Sequence, residues 1–353
     1  MRYIGRQGKE LTVSNRSSNL QILDVMKVYG IVLVVFGHIT RMYTDRGLCH
    51  PIISSQTLSD VTDIIYAFHM PMFVFISGCI FSFQYEERGD YRQLFDYRRL
   101  VWKKIVRLIV PYVFWSFLWV APYLCLMGYR SNTIEYLFHG IVLSTDCAHL
   151  WYLLMLFICF LLFQTINLLL DNFKLPKLFI LILAIILYCL PDFKWMFYFQ
   201  LHSTKIYFLW FCFGYCFYIY RKNILKSFLF LIPILLVTSL VLNENLKFVK
   251  VPFLKEWVMA LVGILAFFYT SKITPSFFLQ NKLYKLISKN NFGIYLIHPI
   301  LIYAVFHFAQ HWYIHPYLLC AVTFVLVIFL SIGISELLRK VNLGWAMGEK
   351  NKK

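Results

Sequence analysis

Residues 22–39 read Ile22-Leu23-Asp24-Val25-Met26-Lys27-Val28-Tyr29-Gly30-Ile31-Val32-Leu33-Val34-Val35-Phe36-Gly37-His38-Ile39, an apolar run that carries three ionisable side chains. Its length is about that needed to cross a bilayer. An ionised group at the centre of a bilayer costs about 2.5–3.5 kcal/mol on insertion scales, so such residues turn toward a bundle interior or a water-filled path. Lys27 and His38 stand eleven positions apart. At about 100° per residue they return to nearly the same azimuth, roughly 16 Å apart along the axis. One stripe of one helix therefore carries both, and the predicted fold is an all-α membrane bundle with a polar interior.

The composition agrees. Of 353 residues, 60% are hydrophobic, 19% aromatic and only 14% charged, far below the roughly 25% charged residues of soluble domains. The first twenty residues carry Arg2, Arg6, Lys9 and Arg16 instead of a short apolar core, so the first apolar helix, not a cleaved leader, is expected to insert the chain. A net charge of +17 in a soluble protein would suggest nucleic acid; here the basic residues sit in short loops, where they orient a membrane protein, and no nucleic-acid partner is expected. The nine cysteines form no C-x-x-C pair, which points to neither a metal site nor a disulfide framework, although Cys49 and Cys147 fall in loops on the same expected side and a bridge between them is one hypothesis.

Apolar stretches near 22–42, 61–83, 105–127, 149–170, 178–190, 204–220, 227–242, 254–270, 290–309 and 316–338 predict about ten transmembrane helices. With the amino terminus taken as cytoplasmic, 24 Lys and Arg fall in inside segments and 5 in outside ones. That asymmetry predicts both termini in the cytoplasm of a multi-pass protein of the cell inner (cytoplasmic) membrane. The expected organisation is a tail over 1–21, a ten-helix domain over 22–338 and a second tail over 339–353. Membrane lipids are the expected surroundings; the oligomeric state is not legible.

Several polar residues recur at the depth of these helices. Lys27 lies about 7 Å into the membrane from the cytoplasmic edge, suited to an anionic group arriving from inside, or else merely paired with Asp24 one turn away. His38, in the outer half, suits proton transfer. His69 lies level with it and precedes Pro71, whose ring kinks a helix and frees a carbonyl, so His69 either faces a cavity or bonds that carbonyl. Asp63 either orients an imidazole or sits at the aqueous rim. The cluster Arg88, Arg92, Arg98, Arg99, Lys103, Lys104 and Arg107 is denser than orientation requires. Arg99, Lys103 and Arg107 repeat at i+4 and would form a stripe for the phosphates of a nucleotide-containing donor, or would touch anionic lipid. His149 and Trp151 open the fourth span at the outer surface as acceptor contacts or interface residues, and His298 before Pro299 is a packing or pore residue. His307, His311 and His315 repeat at a metal-ligand spacing but read as solvated, so no metal is expected.

Together these residues resemble acyltransferase family 3, polytopic enzymes that move acyl groups, usually acetyl, from coenzyme A to cell-surface glycans. The resemblance covers most of the chain and rests on Asp24-x-x-Lys27 with Gly30 and Val35-Phe36-Gly37-His38, on Phe68-His69-Met70-Pro71-Met72-Phe73 with Ser77-Gly78, and on Arg107-x-x-x-Pro111. His149-Leu150-Trp151-Tyr152-Leu153 and Asn291-Phe292-Gly293-Ile294-Tyr295-Leu296-Ile297-His298-Pro299 complete it. It implies a membrane O-acyltransferase with acetyl-CoA as acyl donor and a polysaccharide, oligosaccharide or lipid-linked glycan as acceptor. His38, Lys27 and His69 would be catalytic, with Lys27, Arg99, Lys103 and Arg107 holding the donor, and Asp63, His149, Trp151 and His298 contacting the acceptor. His38 would be general base or covalent acyl carrier. Many members have arginine where this chain has Lys27, which keeps the charge without the bidentate fork. The pattern is most similar to the fucose 4-O-acetylase-like branch, which lacks an added extracytoplasmic hydrolase-like domain; none is expected here. A transporter or flippase for a glycan or lipid-linked sugar would also need intramembrane charges and broken helices.

Overall fold

The computed structural model describes residues 2–89, 91, 94–129, 133–228 and 252–349, and among them there is no β-strand. In chain order the main elements are α1 (Arg2–Thr40), α2 (Gln56–Ser82), α3 (Asp96–Leu126), α4 (Trp151–Asn172), α5 (Phe179–Cys189), α6 (Leu201–Phe228), α7 (Pro252–Ile273), α8 (Lys282–Ala309) and α9 (Pro316–Lys340). Among the described residues seven of these, α1–α4 and α7–α9, hold a stretch long and apolar enough to cross a membrane. The expected 178–190 span is the eleven-residue α5, too short to cross on its own. The expected 204–220 span lies inside α6, whose buried side is mostly aromatic, with Phe208, Trp210, Phe211, Tyr215, Phe217 and Tyr218. The stretch expected at 227–242 lies, but for its first two residues, outside the described ones, as do Arg92, Lys247 and Lys250. The amino-terminal segment expected as a tail continues into α1 as one helix.

Helix α1 is the hub. It packs against α2, α7, α8 and α9, and Leu23, Val25, Met26, Val28, Ile31, Val35 and Ile39 are all at most 4% exposed, so nearly its whole circumference is enclosed. A helix that apolar on every side belongs in the middle of a bundle. Polar straps fix its height. Thr62 Oγ1 donates to Thr40 Oγ1 across α1 and α2 at 2.8 Å, and Asn291 Nδ2 of α8 donates to the Lys27 carbonyl at 2.8 Å.

Helices α2 and α6 meet backbone to backbone at two glycines. A Cβ on Gly78 would stand 2.1 Å from the Phe211 carbonyl oxygen, and one on Gly214 2.1 Å from that of Phe75. Small residues permit this approach, the usual way membrane helices associate without a hydrophobic force between them. Helix α3 is irregular by contrast. Its regular turns are interrupted by π turns at Ile105–Ile109 and Ser116–Val120, each closing just before a proline, Pro111 and Pro122. A proline lacks its N–H and clashes with the carbonyl four residues back; the widened turn relieves that clash.

Cys49 and Cys147 are free thiols, so the hypothesised bridge between them is not formed. Each has a separate partner: Cys49 Sγ meets Tyr129 Oη at 2.8 Å, and Cys147 Sγ meets Ser144 Oγ at 3.1 Å. Burial disfavours the thiolate, which raises Cys49 and pushes Cys147 up to about 11.

Two outcomes follow from this architecture. Gly214→Val forces a branched side chain into the Phe75 carbonyl and should destabilise by at least the about 1–3 kcal/mol of core overpacking, read as a lowered melting temperature in detergent. Maleimide should label Cys49 and Cys147 slowly at pH 7 and faster as the pH rises, Cys147 only as it approaches 11, yet label both fully once the chain is denatured without reductant; protected thiols after denaturation would mean a disulfide.

Candidate active site

Lys27 and His38 line the same cavity, of about 730 Å³, as one stripe of α1 requires. At the Lys27 end the ammonium lies 2.5 Å from Asp24 Oδ1, so the i,i+3 pair forms while Lys27 still faces the cavity. Lys104, Arg107, Lys289 and Glu349 line this end as well. Lys104 Nζ sits 3.3 Å from the centre of the Phe160 ring and has no carboxylate partner among the described residues. Arg107 stacks over Phe292 at 4.3 Å and donates to the Met347 carbonyl at 3.1 Å, which ties α3 to the chain segment after α9. That segment is a short helical turn, Gly344–Met347, closed by Gly348 at φ +64° and held by Trp115 Nε1 donating to the Ala346 carbonyl. Glu349 then pairs with Arg339 at 2.7 Å.

Around His38 the fold gathers three more histidines from three other segments. The His298 ring (α8) is 5.0 Å from that of His38 and 5.9 Å from that of His149, which stands in the turn opening α4. His69 (α2) is 4.7 Å from Tyr66, itself 5.8 Å from His38. A carbonyl oxygen only accepts, so the nitrogen facing it carries the hydrogen. His69 Nδ1–H donates to Ile65 O at 2.8 Å, His298 Nδ1–H to Ile294 O at 2.8 Å, and His149 Nε2–H to Leu296 O at 3.1 Å. Tyr295 Oη returns a bond to the His149 carbonyl at 2.6 Å, so α8 and the start of α4 are strapped in both directions. The buried atoms His38 Nδ1, Tyr66 Oη, His149 Nδ1 and His298 Nε2 have no hydrogen-bond partner among the described residues.

At the far end of the cavity from Lys27, the lining includes Arg41, Asp146 and Tyr303. The guanidinium groups of Arg41 and Arg46 lie over the Tyr66 ring at 5.9 and 5.7 Å.

The profile of acyltransferase family 3, described as an acyltransferase domain, matches residues 20–338. The chain belongs to acyltransferase family 3. No curated protein and no solved structure matches it.

For this acyltransferase family 3 member, the cavity collects Lys27, His38, His69, Arg107, His149 and Trp151 of the residues singled out in the sequence. Four others are not in its wall. Arg99 is exposed, and Lys103 donates to Tyr91 Oη at 3.1 Å. Lys104 takes their place: positions three and four apart both share a helix face, and packing of α3 against α4 selects 104 with 107. Asp63 is exposed and ion-paired with Arg46, the rim position. His298 is fully buried behind His38 rather than on the cavity surface. Arg41 and Tyr66, unremarked in the sequence, stand one turn beyond His38 and one turn before His69, a signal available from the 3.6-residue period. Glu349 carried no signal, because only the fold of the last turn brings it back. No cluster of three or more potential metal ligands occurs among the described residues.

The Arg339 guanidinium bonded to Glu349 holds that carboxyl below its ordinary 4.5. A lowered acid favours the folded arrangement above the ordinary value and loses that advantage as pH falls through the lowered one. The segment 344–349 should therefore stay docked at neutral pH and loosen in acid, and Glu349→Gln should loosen it at pH 7; limited proteolysis in this segment, compared with wild type, measures both.

Proposed function

We propose that this protein is an O-acyltransferase that uses acetyl-CoA from the cytoplasm to esterify a hydroxyl of a cell-surface polysaccharide, oligosaccharide or lipid-linked glycan. The observation that carries the reading is one cavity whose wall holds Lys27, Lys104 and Arg107 together with His38 and His69. Its volume of about 730 Å³ falls within the roughly 300–1,000 Å³ range of small-ligand sites. Loop charge supports placing the Lys27 end on the cytoplasmic side, since 24 basic residues fall in segments on that side against 5 on the other. Both termini are then cytoplasmic, in a cell inner membrane. The motif pattern fits the fucose 4-O-acetylase-like branch.

In this reading Lys104 and Arg107 hold the donor's phosphates, with Lys27 deeper beside its pantetheine arm. Lys104 suits the task because no carboxylate among the described residues pairs with it. His38 takes the proton of the acceptor hydroxyl as that oxygen attacks the thioester carbonyl carbon. The Tyr66 hydroxyl, buried at the cavity wall beside Arg41, would donate to the developing oxyanion. When the tetrahedral carbon collapses, the C–S bond breaks and His38 returns its proton to the departing thiolate, which leaves ester and free thiol. A cavity whose wall holds both the cations and His38 favours this direct transfer over an acyl-histidine carrier. Trp151 and His149 line the acceptor side.

Purified protein given labelled acetyl-CoA and a surface-glycan acceptor should form an alkali-labile acetyl ester. His38→Ala should lower the rate by about 10²–10⁴-fold, as loss of a general base does. Lys104→Ala should raise KM for acetyl-CoA about tenfold, about 1.4 kcal/mol, and Arg99→Ala should leave it unchanged. Normal ester formation by His38→Ala overturns the reading, and glycan movement across vesicles without acetylation would make the protein a transporter.

A further inference from the structure

His298 is not in the cavity wall, yet its ring lies closer to His38 than that of Tyr66 does, at 5.0 Å against 5.8 Å and with 77° between planes. Its state is decided by its own helix. Nδ1 stands 2.8 Å from the Ile294 carbonyl, so Nδ1 carries the hydrogen and Nε2 is left as a pure acceptor. That Nε2 is buried without a partner, and so is Nδ1 of His38. Leaving one such buried polar atom unpaired costs about 1–3 kcal/mol, and two on adjoining rings have an obvious remedy in each other.

Other candidates for His298 Nε2 fail on chemistry. His149, 5.9 Å away, uses its Nε2–H on the Leu296 carbonyl, so its Nδ1 is also an acceptor and two acceptors cannot bond. The charged and titratable groups facing His38 are His298, Arg41, His69 and His149, with no carboxylate among them. Asp63, the acid expected to support it, is spent on Arg46 at the rim. Tyr66 stands further from His38, at 5.8 Å, and on the cavity side.

We propose that His298 is the positioning residue of His38: the two nitrogens are not bonded as the rings stand, and in the working site a small rotation of the adjoining rings lets the His298 Nε2 lone pair accept a hydrogen bond from His38 Nδ1–H, which leaves the other His38 nitrogen, Nε2, unprotonated and turned to the cavity. A neutral imidazole here does what a carboxylate does for the histidine of a hydrolase triad, fixing tautomer and ring angle, without placing a fixed negative charge in the membrane. The proline at 299 supports the arrangement. It has no N–H, so the Tyr295 carbonyl loses its usual helical donor and the turn carrying His298 is free to settle where packing puts it. This inference rests on His38 acting as base in the proposed reaction.

The experiment needs a readout independent of acyl transfer. Diethyl pyrocarbonate acylates an unprotonated imidazole nitrogen, and peptide mass spectrometry gives the rate at His38 alone. His298→Gln puts an amide oxygen near the place of Nε2, whereas His298→Asn reaches the Ile294 carbonyl but offers nothing to His38; His298→Leu removes both. His38 should react about tenfold more slowly in the Asn and Leu variants than in wild type, and the Gln variant should regain most of the rate. In the transfer assay kcat should fall in parallel, with KM for acetyl-CoA within about twofold of wild type. Wild-type labelling of His38 in His298→Asn, or equal losses in Gln and Asn, overturns the proposal. If Leu fails to fold, the Gln–Asn contrast still decides. Labelling that follows this order in a protein inert toward acetyl-CoA would uphold the pairing and sink the acyltransfer reading instead.

Discussion

A lipid tail cannot solvate an imidazole or an ammonium, and the rest of this structure answers that constraint. Lys27 and His38 on one stripe of α1 oblige other helices to close over that stripe, which is why α1 sits at the hub instead of at the rim where its apolar content alone would also allow it. Each enclosing helix brings polar groups of its own, and they must be satisfied in turn. The carbonyls of Ile65, Ile294 and Leu296 take one nitrogen of each of three histidines. Of these three rings, His69 and His149 line the cavity and His298 adjoins His38.

Backbone irregularity and function coincide. His69 stands two residues before Pro71 and His298 one before Pro299, both prolines inside long helices. Lys104 and Arg107 flank the start of a π turn that Pro111 explains. Breaks of this kind are tolerated at membrane depth only where protein or water covers the freed carbonyls. A polar cavity and broken helices are thus two views of one requirement.

The α1 stripe was legible in the sequence because an eleven-residue interval is close to three whole turns, and it correctly joined Lys27 to His38 in one cavity. The family was legible too, from motifs spread along most of the chain. Which face of α3 turns inward was not. Arg99, Lys103, Lys104 and Arg107 all satisfy a helical spacing, and only packing against α4, with Phe160 beneath Lys104, selects two of them. His298 was recognised as a buried polar residue, but whether it lines a space or backs another ring depends on a rotation no one-dimensional pattern encodes. Glu349 depends on the chain folding back after α9, a long-range contact without a local signature. The number of spans is the coarsest of these readings: seven long apolar helices stand among the described residues where ten were expected.

The backbone contacts of Gly78 with Phe211 and of Gly214 with Phe75 also distribute stiffness unevenly. Two helices touching through main-chain atoms have no side-chain cushion to deform, so α2 and α6 behave as one inflexible plate, and His69 rides on it. Helix α3, with two widened turns and two prolines in its length, is the compliant wall opposite. Adjustment to a bulky guest is thereby concentrated on the side of Lys104 and Arg107, while the wall that carries His69 holds its place.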